Sequence, residues 1–225
     1  MKKSSAQIIL DLETMSTDQD GVILSIGLLF IRDSDIGKSV EELASNCLSI
    51  KLDAKEQLKA GRTTSKDVMA FWEKQSKEAR AVIRPSVDDF KAADAWTLIV
   101  NKIDELNIDV SNNSTTQFWQ RGDMDFRMIN DYFRDFGFKE SFEQYFDWRK
   151  VRDIKTFIWT ANLINYGAYN KYSVPCDEAI ADKTGQSLIW WDYVRDFSKE
   201  HNLVAHDAVS DCLIQAEQLR ILDMF

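Results

Sequence analysis

The sequence predicts an α/β fold whose central mixed sheet begins with an antiparallel hairpin and carries helices on both faces. Three observations predict it. Two apolar runs near the N-terminus, AQIILDLE and VILSIGLLFI, are joined by a polar turn too short for a crossover helix, so they should pair antiparallel. Downstream, strand-like segments alternate with segments of helical periodicity. The 225 residues are 44% apolar and contain two prolines and eight glycines, with no linker-like or low-complexity stretch, so a single domain over residues 1–225 is expected.

AQIILDLE is a short apolar run ending in two acids, the pattern of a buried central strand. VILSIGLLFI gives the second strand and CLSIKLD (residues 47–53) a third. A helical middle follows, with Val68, Met69 and Trp72 on one face of SKDVMAFWEKQ. After Pro85, Ser86 and Asp89 make a capping-box-like start for a helix through Trp96, Ile99, Val100, Ile103 and Leu106. TTQFWQRG returns to strand character, Gly122 breaks it, and DMDFRMINDYFRDFG reads as a helix closed by Gly137. Asp153 can cap a helix carrying Ile154, Phe157, Ile158 and Ala161. From Asp207 onward a last helix has Val209, Cys212, Leu213 and Ala216 as its apolar stripe.

Composition narrows the function classes. A net charge of −9 argues against a protein that coats duplex DNA by neutralising phosphates, but not against an enzyme that holds cations and meets one strand end. Cys47, Cys176 and Cys212 are odd in number and widely spaced, which suits reduced thiols and no disulfide framework. No apolar run reaches membrane-spanning length and MKKSSAQIIL does not read as a signal peptide, so a soluble cytoplasmic protein with no membrane partner is expected. Oligomeric state is not written in the sequence, and a homodimer is as compatible with it as a monomer.

Five residues could carry chemistry. Asp11 and Glu13, two apart on a strand, face the same way, and an apolar strand tolerates two such acids when a hard cation neutralises them. Asp125 opens a helix after a strand and a glycine, where the helix dipole favours a carboxylate. In AHDAVSD, Asp207 can cap the last helix, His206 lies just outside it, and Asp211 falls in its first two turns. Each also has a structural reading: strand-end acids in solvent, an ordinary helix-start acid, a surface or packed histidine. For Asp211, periodicity alone favours the structural reading, because it projects opposite the centre of the apolar stripe and should be solvated.

In this order and these settings the residues resemble the signature of the DEDDh exonucleases. The sequence is similar in particular to the exonuclease A-like enzymes of T-even-type phages, and more distantly to ribonuclease T and oligoribonuclease. The stretches IILDLETM, IKLDAKEQLKAGRTTSKDVMAFWEKQSKEAR, FWQRGDMDF, VRDIKTF and VAHDAVSDC carry the likeness, while residues 86–114 and 166–200 carry little. The resemblance implies a ribonuclease H-like fold, with Asp11, Glu13, Asp125 and Asp211 as metal ligands and His206 as general base. It also implies two Mg²⁺ or Mn²⁺ ions per site, the 3′ end of a single strand as substrate (DNA before RNA), and nucleoside 5′-monophosphates as products. A phage-encoded relative would work in the host cytoplasm.

The chemistry agrees with that assignment. Phosphodiester hydrolysis needs an activated water, neutralised phosphate charge and a stabilised departing oxygen, which two cations about 3.5–4 Å apart supply together. A histidine near neutral pKa can take the water's proton. By the resemblance, Thr14 and Met15 approach the terminal nucleotide. Phe126 could touch a base or pack in the core, and Arg149, Lys150, Arg152 and Lys155 could follow the backbone or form a solvated face.

Two rival readings make distinct demands. A haloacid dehalogenase-type phosphatase needs aspartate at the position of Glu13 and a crossover helix after the first strand. A nucleic-acid-binding module would be expected to lack one of the five catalytic positions and to be basic.

Overall fold

The computed structural model describes residues 3–111, 113–157 and 190–221. Five strands, β1 (Ala6–Thr14), β2 (Ile23–Arg32), β3 (Cys47–Lys51), β4 (Gln117–Gln120) and β5 (Val151–Asp153), form one sheet in the order β3-β2-β1-β4-β5. The expected hairpin is there: β1 pairs β2 antiparallel from Ala6 opposite Arg32 to Glu13 opposite Ser25. β1 also pairs β4 in parallel, and β4 pairs β5 in parallel, so β1 is the central strand and the sheet is mixed. Among the described residues the α-helices are α1 (Val40–Ala44), α2 (Ala54–Lys59), α3 (Lys66–Glu73), α4 (Ala92–Glu105), α5 (Met124–Asp135), α6 (Lys139–Tyr145), α7 (Trp190–Glu200) and α8 (Ala208–Ile221).

Strand alternation divides the core. Ile8, Leu10 and Leu12 face one side, where they pack with Trp96, Ile99 and Ile103 of α4, Ile129 and Phe133 of α5, and Phe142 of α6. Ile9, Leu29 and Trp119 face the other, against Cys212, Leu213 and Ala216 of α8. Helices therefore cover both faces. Each fully buried Ile, Leu or Phe contributes roughly 1.5–3 kcal/mol of transfer free energy. Among the described residues no helix is long and apolar enough to cross a membrane.

One expectation needs correction, one strand was not foreseen and one expectation is met only in part. The Ser86–Asp89 hydrogen bonds form, the Ser86 N–H donating to Asp89 at 2.8 Å, yet α4 begins only at Ala92. Phe90 explains the delay. Its N–H donates to the Lys51 carbonyl and its own carbonyl accepts from the Asp53 N–H, which holds it extended beside the end of β3. The first-turn amide of Ala92 is then satisfied by Glu56, at 2.9 Å. The three-residue β5 carries no strand pattern of its own and follows from its pairing with β4. Asp153 does accept from the Lys155 and Thr156 amides, as a helix cap would; Ile158 and Ala161 lie outside the described residues.

Candidate active site

The C-terminal ends of the parallel strands β1 and β4 reach the same edge of the sheet, the edge at which open α/β sheets bind ligands. Asp11 and Glu13 share the face of Ile9, which is the face that α8 covers. Glu13 is 7% exposed, so the pair does not merely mark a strand end in water. Asp125, in the first turn of α5 after β4, is equally buried, and Gly122 at φ +95° makes the turn that delivers it there.

α8 brings the remaining groups. Asp207 caps it, accepting from the amide and the hydroxyl of Ser210 at 2.9 Å each. Gly27 of β2, directly opposite Asp11, lets the helix start lie against the sheet: a Cβ there would stand 2.4 Å from the Ala208 carbonyl oxygen. One turn on, Asp211 faces the strand acids, and the Gln215 amide donates to Asp11 Oδ1 at 2.8 Å. The expected solvated position of Asp211 is thus overturned. α8 buries Ser210, Gln215 and Gln218 as well as Cys212, Leu213 and Ala216, so it has no open polar face into which Asp211 could project.

One carboxylate oxygen each of Glu13 and Asp211 and one ring nitrogen of His206 lie within 4.8 Å of one another. Asp11 and Asp125 stand outside that mutual triangle but inside its field. Burial first, then repulsion from Asp125, Asp211 and Glu13, holds the Asp11 carboxyl far above the usual range, against the opposing Gln215 hydrogen bond. Burial, with repulsion from Asp211, Asp207 and Asp125, pushes Glu13 up to about 8. Burial raises Asp125 to about 7 despite the nearby Lys155 charge, and Asp211 to about 7 despite Arg121. Burial lowers the His206 pKa from its ordinary value, which favours the neutral imidazole that can accept a proton.

This donor set fits divalent cations. Four crowded carboxylates offer the hard oxygen ligands that Mg²⁺ and Mn²⁺ prefer, and their raised pKa values show that the side chains around them do not neutralise them. Gln215 adds a buried Oε1 with no hydrogen-bond partner among the described residues.

The candidate substrate residues are placed unevenly. Thr14 is buried and its hydroxyl donates to the Ser16 carbonyl at 2.7 Å, which leaves half-buried Met15 the more accessible of the pair. Phe126 packs on Phe142, 5.8 Å between centroids, and also lines a cavity of about 560 Å³ with Phe146 and exposed Trp148. Among the basic residues, Arg149 forks onto Asp147, Lys150 is buried against Ser111 and Ser114, and Arg152 donates to the Arg149 and Val151 carbonyls. Of these four, Lys155 is the one that reaches the site electrostatically, through Asp125. Sequence reasoning missed Gly27, Gln215 and the contacts of Trp72 described below. Of these only Gly27 left a signal, as a glycine inside an otherwise apolar strand.

Residues 6–194 match a family described as 3′-5′ exoribonuclease Rv2179c-like domain. An exodeoxyribonuclease of Enterobacteria phage T4 is 32% identical over 129 residues, covering 56% of this chain and 55% of the phage protein. The chain therefore matches about half the length of that relative. Among solved structures, cell-death related nuclease 4 (CRN-4) superposes with a TM-score of 0.56 over 99% of this chain and 65% of its own, at 15% identity. The likeness is one of fold: the five-stranded mixed sheet with flanking helices is ribonuclease H-like.

Proposed function

The chain belongs to the 3′-5′ exoribonuclease Rv2179c-like domain family, and from that premise we propose that it is a metal-dependent 3′-to-5′ exonuclease acting as a single domain on single-stranded nucleic acid. The observation that carries the reading is the crowded cluster of Asp11, Glu13, Asp125 and Asp211, two of them buried, with a His206 ring nitrogen within 4.8 Å of Glu13 and Asp211.

In this proposal the four carboxylates hold two Mg²⁺ or Mn²⁺ ions, which when bound activate water and neutralise charge on the phosphate. The residues do the rest. His206, although near enough to Glu13 and Asp211 to be a ligand, is assigned as base because the carboxylates already provide a hard oxygen set. One ring nitrogen takes a proton of the attacking water as the water oxygen bonds to phosphorus and the bond from phosphorus to the upstream 3′-oxygen breaks; that oxygen takes a proton from solvent, and a nucleoside 5′-monophosphate is released. Thr14 and Met15, immediately after Glu13, bound the space for the terminal nucleotide, and Phe126 bounds it beyond Asp125.

DNA is the first substrate proposed, because the phage T4 relative is an exodeoxyribonuclease. RNA is the second reading, favoured by the description of the matching family. The discriminating contact would be to a 2′-hydroxyl. Digestion of matched 3′- and 5′-labelled single strands of DNA and RNA with Mg²⁺ or Mn²⁺ tests both. Faster shortening of the DNA from its 3′ end supports the first and faster shortening of RNA the second, while internal cleavage or loss from the 5′ end contradicts the exonuclease reading.

A further inference from the structure

α3 touches the site at two points that belong to distant segments of the chain. The Trp72 indole N–H donates to the Thr14 carbonyl at 2.8 Å, one residue beyond Glu13. The same indole lies edge-on to the His206 imidazole, 6.3 Å between centroids with the planes 76° apart. Phe71 contacts the imidazole more closely, at 4.9 Å and 86°, and meets Trp72 edge to face at 5.7 Å.

These contacts have different relations to the core. Trp72 is fully buried, packing with Leu24 and Ala79, and would be kept for stability alone. Phe71 is 40% exposed, so burial accounts for little of its placement. His206, for its part, needs support. Its φ of +59° lies in the left-handed region, which non-glycine residues occupy only when their surroundings hold them there. Its backbone amide is hydrogen-bonded to the Asp211 carboxylate. Among the described residues no side-chain hydrogen bond to the imidazole is seen, and the two aromatic rings pack against it.

We infer that Phe71 and Trp72 are positioning residues: α3 orients the His206 imidazole toward Glu13 and Asp211, while Trp72 ties down the strand end that carries Glu13. Neither touches the reacting atoms. The inference rests on the reading of His206 as base, and it explains why an otherwise unremarkable eight-residue helix carries adjacent aromatic residues, one of them facing water.

The chain has two histidines, so the imidazole carbon–proton NMR spectrum has two sets of signals, assigned with His201→Asn. In Phe71→Ala, a half-exposed position whose truncation should leave the fold intact, the His206 signals should shift while those of His201, which packs on Phe197, stay in place. kcat should fall about 10- to 10²-fold, as expected for a misplaced catalytic group, with KM little changed. Phe71→Tyr should restore both readouts. Trp72→Phe, which keeps a ring but loses the N–H, should lower kcat without moving the His201 signals. Unmoved His206 signals in Phe71→Ala overturn the inference, as does a raised KM with intact kcat, which would make Phe71 a strand contact. Wild-type turnover in His206→Ala removes the base reading and the positioning role with it. Slow turnover in His206→Ala together with unmoved signals in Phe71→Ala removes the positioning role alone.

Discussion

Gly27→Ala is the substitution that asks most of the geometry. The added Cβ would stand 2.4 Å from the Ala208 carbonyl oxygen, 2.5 Å from its carbonyl carbon and 2.8 Å from its Cβ, where ordinary contact begins at 3.4 Å. Two of those atoms are backbone, so no side chain can swing aside and the start of α8 must retreat by about 1 Å. Overpacking of this kind costs roughly 1–3 kcal/mol. In a chain of this size that lowers Tm by about 2–12 °C. The larger effect should be on turnover, because the retreating turn carries Asp211 and adjoins His206. A displacement near 1 Å at a catalytic group can cost on the order of 10²-fold. The assay pairs thermal unfolding with kcat on a labelled single strand. Ile99→Val, buried on α4 on the other side of the sheet, serves as the control, losing ~0.5–1.5 kcal/mol with little change in kcat. Wild-type Tm and kcat in Gly27→Ala would refute the claim that close approach of α8 assembles the site.

Asp211→Asn should lower divalent-cation affinity and turnover severely, whereas Asp207→Asn should mainly loosen the cap of α8; calorimetry with each variant separates them, and the reverse pattern would mean the roles are exchanged. His206→Ala should keep cation binding while kcat falls ~10²–10⁴-fold, and loss of binding together with turnover would make His206 a ligand. Without cations, Glu13, Asp125 and Asp211 have folded pKa values of about 8, 7 and 7, above their ordinary 4.5, 3.8 and 3.8. The unfolded chain therefore ionises first, so stability is fully present below about pH 4 and is lost as pH rises toward 8. Thermal unfolding in EDTA should show Tm falling across that window, and Mg²⁺ should abolish the fall; a flat profile in EDTA would contradict the crowded-acid electrostatics.

Local features were legible in the sequence because local rules govern them. The two-residue spacing of Asp11 and Glu13 fixes their common face whatever packs above it, and the short turn after Thr14 leaves β2 no option but to return antiparallel. Gly122 and Gly137 both adopt the positive φ that their positions at segment ends suggest, and Asp207 caps α8 as its place before the apolar stripe indicates. What remained hidden depends on distant partners. Asp211 looked solvated because a stripe argument assumes one buried face, and α8 is enclosed on nearly all sides. The start of α4 slipped five residues because Phe90 is claimed by β3, a pairing invisible to capping rules. Gln215 meets Asp11 across 204 positions, and Trp72 meets Thr14 across 58, so neither contact could be read from neighbouring residues.

In the proposed reaction the carboxylate cluster at the end of β1 hydrolyses a strand from its 3′ terminus with bound divalent cations. Release of mononucleotides from a 3′-labelled single strand, by the wild-type chain and by Glu13→Gln, with Mg²⁺ or Mn²⁺ supplied and then chelated, tests it most directly. The wild type should release nucleoside 5′-monophosphates from the labelled end, stop when EDTA is added and resume when the cation is restored, while Glu13→Gln should be nearly inactive throughout. Undiminished release in EDTA, or wild-type release by Glu13→Gln, would contradict it.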